Sequence, residues 1–543
     1  MTRQQLLTLI AAILGSTVVF LDGTVVNVAL PAIAEKLDAG LAAQQWVVEA
    51  YMLTMVALLL VGGSLGDQFG RRRIFVFGLI GFAATSVLCA VAPSVELLVL
   101  GRALQGVAGA LLVPGSLALV ASAFEGAARG RAVGTWTAWT GIAVVIGPAG
   151  GGALVEAISW RAIFWINVPL IAFTVALTLR AVAESRDPDA FHGADLPGIL
   201  LSAVGLGAPV FALIEQPSRG WGDPLVWASM LLGVACLGLF VLREARARHP
   251  MLDLALFRIR NFWVANLTTF AAYGGLISAL FFVTIFLQQV SGYSPVEAGL
   301  ATTPISVVLF LLSPRFGKLA SGTGPRLPMT AGPIVAGIGL LLLLRVDADA
   351  AYLSEVLPGV LVFSLGLAAT VAPLTATVLD SVDERHVGTA SGANNGIARV
   401  AGLLAIAVFG VVVSAQFGSS IDSNLGDAPL GPRAATAVAE AKEQPLAVPA
   451  AERLAPAEAT RVRAAAADAS TSAFHLGIAI AGILMIAGGI FAGFGIVNPE
   501  RRYEAVPAGS TAAAGECGHG TDADRAPPPP RPSPAPAPTG EPT

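Results

Sequence analysis

Charge is scarce in this sequence. Asp, Glu, Lys and Arg make up 13% of its 543 residues, against 55% apolar side chains. The mean hydropathy of +0.74 excludes a chain folded mainly in water. Any basic block is also missing. The net charge is −4 and the arginines are dispersed in small groups between apolar runs, so nucleic acid is not expected as a partner. Only three cysteines occur, Cys89, Cys236 and Cys517, without CxxC or Cys/His spacing, which removes a disulfide framework, a metal site or a redox pair. No GxxxxGK[ST] phosphate loop is present to bind ATP. His192, His249 and His386 fall in loops or at span edges, and no His/Asp/Glu cluster suggests an enzyme. No catalytic residue, metal or cofactor is therefore expected.

What the chain has instead is long apolar runs. A helix needs roughly 20 mostly apolar residues to cross a bilayer, and about fourteen such runs can be drawn. They cover 6–30, 44–65, 74–91, 97–118, 133–154, 163–179, 198–214, 224–242, 264–288, 299–312, 327–344, 353–374, 391–409 and 474–496. The first run is too long for a signal-peptide core and lacks a small-residue cleavage site after it, so it is expected to be retained as a span. Trp46, Trp136, Trp139, Trp160 and Trp165 lie near span ends, as an interfacial belt would.

Cytoplasmic loops keep an excess of Lys and Arg. With the N-terminus inside, the cytoplasmic side collects Arg71, Arg72, Arg73, Arg129, Arg131, Arg180, Arg186, Arg243, Arg246, Arg248, Arg258, Arg260, Arg315, Lys318, Arg326, Arg385, Arg501 and Arg502. Lys36, Arg161, Arg219 and Arg345 fall outside. Both termini are then cytoplasmic, which requires an even number of spans. Residues 418–470, Ala-rich with scattered Glu and Arg, read as a long external loop between the last two spans, with room for short surface helices. The polar and then Pro-rich segment 498–543 cannot bury a core and is expected to be a disordered cytoplasmic tail.

An internal repeat links two loops. GSLGDQFGRRR from Gly63 matches GKLASGTGPR from Gly317, with Gly63 over Gly317, Leu65 over Leu319, Gly70 over Gly324 and Arg72 over Arg326. Duplicated helix bundles with a substrate path between them are a common plan for secondary transporters. The predicted architecture is all-α: a six-helix bundle over 1–180, a linker with two inserted helices over 181–260, and a second six-helix bundle over 261–497.

At these motifs the chain resembles a known group. GGSLGDQFGRRR resembles the cytoplasmic-loop signature of the major facilitator superfamily. LVLGRALQGVAGA, with Arg102, resembles its drug-exporter motif, and GIAVVIGPAGGG, from Gly141 to Gly152, its antiporter motif. LDGTVVNVALP around Asp22, WVVEAYML around Glu49 and FLQQVSGYSPVEAGL from Phe286 resemble the fourteen-span branch of drug:proton antiporters. The resemblance runs in order over residues 6 to 496. It implies a cell-membrane multidrug efflux permease that works by alternating access, with protons and a small molecule as its partners beside the lipid bilayer. The second-half loop departs from the pattern, with Ser321 in place of Asp67. An exporter of one endogenous metabolite is the alternative within the class. A membrane sensor would need a signalling domain, and the only soluble pieces are a loop and a tail; nothing bears on an accessory subunit.

Charged groups inside a bilayer are expensive and default to a functional role unless they pair or snorkel. Asp22 lies about 12 Å below the external end of its span, and Glu49 and Arg102 about 7 to 8 Å below theirs. These three are the candidate proton-coupling residues, with Arg102 tuning the carboxylates. The competing readings are a structural ion pair or snorkelling to the outer surface. Gly63, Asp67, Gly70, Arg71 and Arg72 form a candidate gating loop, which by resemblance latches the two halves. The simpler reading is three arginines anchoring an inner loop. Gly141, Gly147, Pro148 and Gly151 form the candidate antiporter motif, where missing bulk and a missing backbone donor favour bending and close packing. Arg399 lies about 12 Å from the cytoplasmic end of its span and is expected to snorkel inward past Ser391.

Overall fold

In lipid, a backbone N–H or C=O without a partner costs several kcal/mol, so a chain this apolar is driven to close its hydrogen bonds within each segment as helix. The computed structural model describes residues 1–124, 126–186, 195–247, 253–383, 386–426, 430–447 and 454–498. Helices account for its regular structure, with no strand among the described residues. The Pro-rich tail beyond Asn498 with Cys517, and the histidines His192 and His249, lie outside them.

The first bundle holds α1 (Arg3–Leu37), α2 (Leu41–Phe69), α3 (Arg71–Val91), α4 (Val95–Ala123), α5 (Gly126–Ala157), the short α6 (Ala162–Trp165) and α7 (Asn167–Ala181). Next come α8 (Leu196–Arg219) and α9 (Pro224–Glu244). The second bundle holds α10 (Arg260–Gln289), α11 (Pro295–Thr323), α12 (Arg326–Leu342), α13 (Leu357–Asp380), α14 (Val387–Leu425), α15 (Pro432–Glu443) and α16 (Pro456–Gly495). Thirteen of these stretches, with α6 and α7 taken together, are long and apolar enough to cross a membrane among the described residues. The 32-residue α5 occupies the place of the fifth expected span.

Several boundaries differ from expectation. The run at 299–312 is the middle of a 29-residue helix that starts from a capping box between Ser294 and Glu297. Pro304 and Pro314 lie inside it without ending it, as proline can in membrane helices. The sixth span is interrupted at Ile166, between α6 and α7. Residues 418–470 are mostly helix rather than loop. The 39 residues of α14 and the 40 of α16 run about 60 Å each, twice the hydrocarbon thickness. Beyond the membrane they keep packing on each other through Phe417, Ile421 and Leu425 against Val462, Ala465 and Ala469, with Ala434 and Val438 of α15 in the same core. Alanine spacing in this segment thus encodes a helical hairpin. The tryptophan belt holds only in part. Trp46 donates to Glu215 Oε1 (3.1 Å), Trp136 to Ser16 Oγ (3.2 Å), and Trp160 is buried, while Trp139 and Trp165 face outward.

The internal repeat is reproduced in backbone geometry. α2 stops at Gly70 with φ 110° and α11 stops at Gly324 with φ 90°, a region that side chains with a Cβ rarely occupy. Each turn is fastened by the residue that follows the last helix of its own half. Glu184 accepts from the Arg72 and Arg73 amides (3.0 and 3.2 Å), and Asn498 Oδ1 accepts from the Arg326 amide (3.0 Å). An acceptor at the free N–H groups of a helix start satisfies groups that have no partner within the helix. The two turns, the start of α1 and the end of α16 lie on one face of the molecule, called here the turn face.

On the opposite face the halves share one apolar core, which joins Val26, Leu30 and Ile33 of α1 with Phe282, Phe286 and Leu287 of α10. Nearer the turn face each half has its own, around Phe75 and Phe82 in the first and around Phe262 and Met329 in the second. α8 packs into the seam between α2 and α14, where Val210 and Ile214 meet Leu403 and Ala407, and the Trp46 ring lies tilted against Phe211. Arg243 of α9 grips Asp195, at the start of α8, with Nε and Nη2 (2.8 and 2.5 Å). Those bonds hold the Asp195 carboxyl below the usual carboxylate range.

Candidate functional site

Asp22 on α1 and Arg102 on α4 lie 2% and 1% exposed, and they form a direct ion pair. Two charges removed from water need further hydrogen bonds to offset their desolvation. The structure supplies them. Asp22 Oδ1 also accepts from Gln105 Nε2 and Asn167 Nδ2, both at 3.1 Å. Arg102 donates Nε to the Val47 carbonyl (3.0 Å) and Nη1 to Gln105 Oε1 (2.7 Å). Its guanidinium carbon sits 4.2 Å from the centre of the Tyr51 ring, a cation–π distance. Tyr51 in turn donates to the Val19 carbonyl (3.1 Å), and Ser86 Oγ accepts from Gln105 (2.9 Å) and Asn167 (3.3 Å). Five helices, α1, α2, α3, α4 and α7, therefore converge on one carboxylate and one guanidinium.

Gln105, Ser86, Asn167 and Tyr51 were not candidates from the sequence. Gln105 follows Arg102 by three residues, which places both on one helical face, and that spacing was a usable signal. Ser86 and Asn167 are small polar residues in apolar runs, and nothing local distinguishes them from residues bonded to their own helix.

Glu49 is not in this network. It is fully buried on α2, and neither carboxylate oxygen has a hydrogen-bond partner. The competing reading in which it snorkels to the outer surface does not hold, because Glu49 is fully buried among its neighbours. Depth along a helix does not reveal which face is turned inward.

The gating-loop candidates are brought together within the first half. Arg71 Nε donates to Asp67 Oδ1 (2.8 Å), and Arg72 Nη1 to the Val182 carbonyl (3.2 Å), so the loop is fastened to α7's end. Gly63 faces Pro114 of α4 at ordinary contact distance.

The glycines of α5 form two contact surfaces. A Cβ on Gly147 would overlap Thr24, and one on Gly151 would overlap Val25, both on α1 close to Asp22. A Cβ on Gly152 would overlap the Pro295 carbonyl of α11, and one on Gly299 of α11 would overlap the Pro148 carbonyl. Gly147 and Gly151 thus press α5 onto the helix of the buried acid, while Pro148 and Gly152 meet the second half. Gly141 lies in the same helix toward the turn face. Two further links join the halves on that side: Gln45 Nε2 donates to the Ile406 carbonyl (2.7 Å) and Gln288 Nε2 to the Val28 carbonyl (3.1 Å).

Two helical bundles repeated within one apolar chain, meeting at a glycine seam beside a buried ion pair, define a polytopic membrane transporter. The sequence profile of the Major Facilitator Superfamily matches residues 12–406, and the chain belongs to that family. It is 37% identical over 428 residues to the multidrug resistance protein Stp of Mycobacterium tuberculosis, covering 78% of this chain and 79% of that protein. To the multidrug efflux pump LfrA of Mycolicibacterium smegmatis it is 34% identical over 472 residues, covering 86% and 91%. The tetracenomycin C resistance and export protein of Streptomyces glaucescens is 34% identical over 439 residues, covering 80% and 81%. A bacterial homologue of the human lysosomal transporter spinster, solved inward-facing and occupied, superposes with a TM-score of 0.64 at 16% identity, over 91% of this chain and 97% of that one. That likeness concerns the fold.

Proposed function

We propose that this protein exports drugs or other small, mostly amphipathic molecules across the cell membrane in exchange for protons, by alternating access. The observation that carries this reading is the Asp22–Arg102 pair, buried and bonded on every side, one turn or less from the α1–α5 contact at Thr24 and Val25. A proton on Asp22 would cancel the pair and release Arg102, so protonation and helix packing are coupled at one place. Glu49, buried without a hydrogen-bond partner, is the second proton-carrying group, because an isolated carboxylate in such a place is costly to keep charged. Drug substrates fit the relatives, which are named for multidrug resistance and efflux.

The turn face, with the start of α1 and the end of α16 on it, is the cytoplasmic one, in keeping with its excess of arginine. The halves then meet on the external side through Gly152, Gly299, Gln45 and Gln288, and the conformation is inward-open. The Asp67–Arg71 loop is the cytoplasmic latch that closes in the other half of the cycle.

Reconstituted protein given an inwardly acid-directed pH gradient should concentrate a fluorescent dye and dissipate the gradient only when dye is present. Dye movement without proton movement would reject antiport. In the same assay Asp67→Asn should slow turnover and leave the half-saturating dye concentration unchanged. Orientation is read separately, with single cysteines on a background lacking the native three. Ala435→Cys should react with an impermeant maleimide in whole cells and Ala183→Cys should not; the reverse pattern would invert the topology.

A further inference from the structure

Two arginines stand in the middle of the molecule and their surroundings differ. Arg102 has a carboxylate, a carbonyl and an amide oxygen to bond. Arg399, on α14, has none: no carboxylate or carbonyl accepts from its guanidinium among the described residues. It does not reach the turn face either. α14 begins at Val387, which leaves Arg399 about 18 Å from that end. It is half-buried at the level of Tyr51 and Tyr273, its electrostatic neighbours from α2 and α10. Both are phenols, uncharged at neutral pH, and the Tyr51 hydroxyl is already bonded to Val19. An arginine kept at membrane depth without a counter-charge is expensive, and it marks a place where a partner arrives.

Directly on the turn-face side of this layer lies a cavity of about 490 Å³, large enough for a drug-sized molecule. Its walls come from both halves and from the inserted helices: Ala57 of α2, Leu206 of α8, Phe240 of α9, Phe270 of α10, and Ile397 and Val400 of α14. No charged side chain is among its described lining residues. Arg399 follows Gly396 by three residues and Tyr273 follows Phe270 by three, so the basic and phenolic groups share helix faces with lining residues, one turn further from the turn face.

Resting on the reading of this chain as an exporter of amphipathic molecules, we propose that its substrates include amphipathic acids. The carboxylate or phenolate of such a molecule bonds Arg399, and its aromatic or alicyclic body fills the chamber between α2, α8, α9, α10 and α14. The guanidinium offers a planar fork to a carboxylate, and a charge-assisted pair in this low-dielectric layer is stronger than the same pair in water. α8 and α9 thereby acquire a role as the wall that keeps the apolar body out of lipid.

The test is equilibrium binding to the full-length protein in nanodiscs, without any gradient, using a fluorescent naphthalenecarboxylate and its methyl ester. Wild type should bind the acid about tenfold or more tighter than the ester. Arg399→Gln should erase that preference by weakening the acid and leaving the ester unchanged, and Arg399→Lys should keep part of it. Leu206→Trp, which fills the chamber, should weaken both ligands equally. Equal binding of acid and ester by wild type, or an undiminished preference in Arg399→Gln, overturns the proposal. Should Arg399→Gln not reach the membrane, an undiminished preference in Arg399→Lys together with unchanged binding in Leu206→Trp overturns it. Because no gradient is involved, loss of acid preference rejects this site alone, whereas acid binding without pH-driven transport rejects antiport alone.

Discussion

Asp22→Asn is expected to abolish pH-driven substrate accumulation, a loss of about 100-fold or more, while the protein still inserts in the membrane and binds substrate. Asparagine keeps the shape and can still accept from Gln105 or Asn167, whose bonds to Asp22 Oδ1 are 3.1 Å. It cannot ionise, so the step that breaks and remakes the pair with Arg102 disappears. The guanidinium would retain the Val47 carbonyl, Gln105 Oε1 and the Tyr51 ring. A purely structural pair predicts something else, because removing one partner of a buried ion pair costs about 3–5 kcal/mol. Asp22→Asn would then fail to fold, and Asp22→Asn with Arg102→Gln would restore both folding and transport. Reconstituted Asp22→Asn that still concentrates substrate under a pH gradient would end the coupling assignment.

Gly152→Leu should hold the two halves apart on the external side. The new side chain has nowhere to go, since even its Cβ overlaps the Pro295 carbonyl and lies 2.8 Å from Val296 Cα, both backbone atoms of α11. Overpacking of this kind costs about 1–3 kcal/mol, enough to shift an open–closed equilibrium about 5- to 150-fold. Turnover should fall by that order. Thr303, one turn below Gly299 on α11, reports the opening: Thr303→Cys should become reactive to external maleimide in the Gly152→Leu background and stay protected with Gly152. Gly299→Leu, which overlaps Pro148 from the other side, should reproduce the effect. Unchanged protection in both variants would show that this seam does not gate the path.

Thirteen of the fourteen expected spans were legible among the described residues because apolar run length in a bilayer is set by its thickness, and the repeat was legible because two turns demand glycine at the same step. Gly70 and Gly324 show this directly, with φ of 110° and 90°. The candidate acid and base were also legible, since a charge in an apolar run stands out whatever the fold. Residues 418–470 were less so: scattered Glu and Arg resemble loop, and helix there depends on faces that α14, α15 and α16 supply to one another.

The sequence by itself determined that the chain lives in lipid, that it is helical, that it is built from two related bundles, and that Asp22 and Arg102 lie deep within them. Only the tertiary structure decided what each charge meets. Asp22 and Arg102, on α1 and α4, are joined directly; Glu49, on α2, is left without a hydrogen-bond partner; and Arg399, expected to snorkel, has Tyr51 and Tyr273 as its electrostatic neighbours. The physical reason is that depth follows from counting residues along one helix, whereas pairing depends on how helices far apart in the chain are rotated against one another. That rotation is set by packing of small residues such as Gly147, Gly151 and Gly152, whose partners lie on other helices.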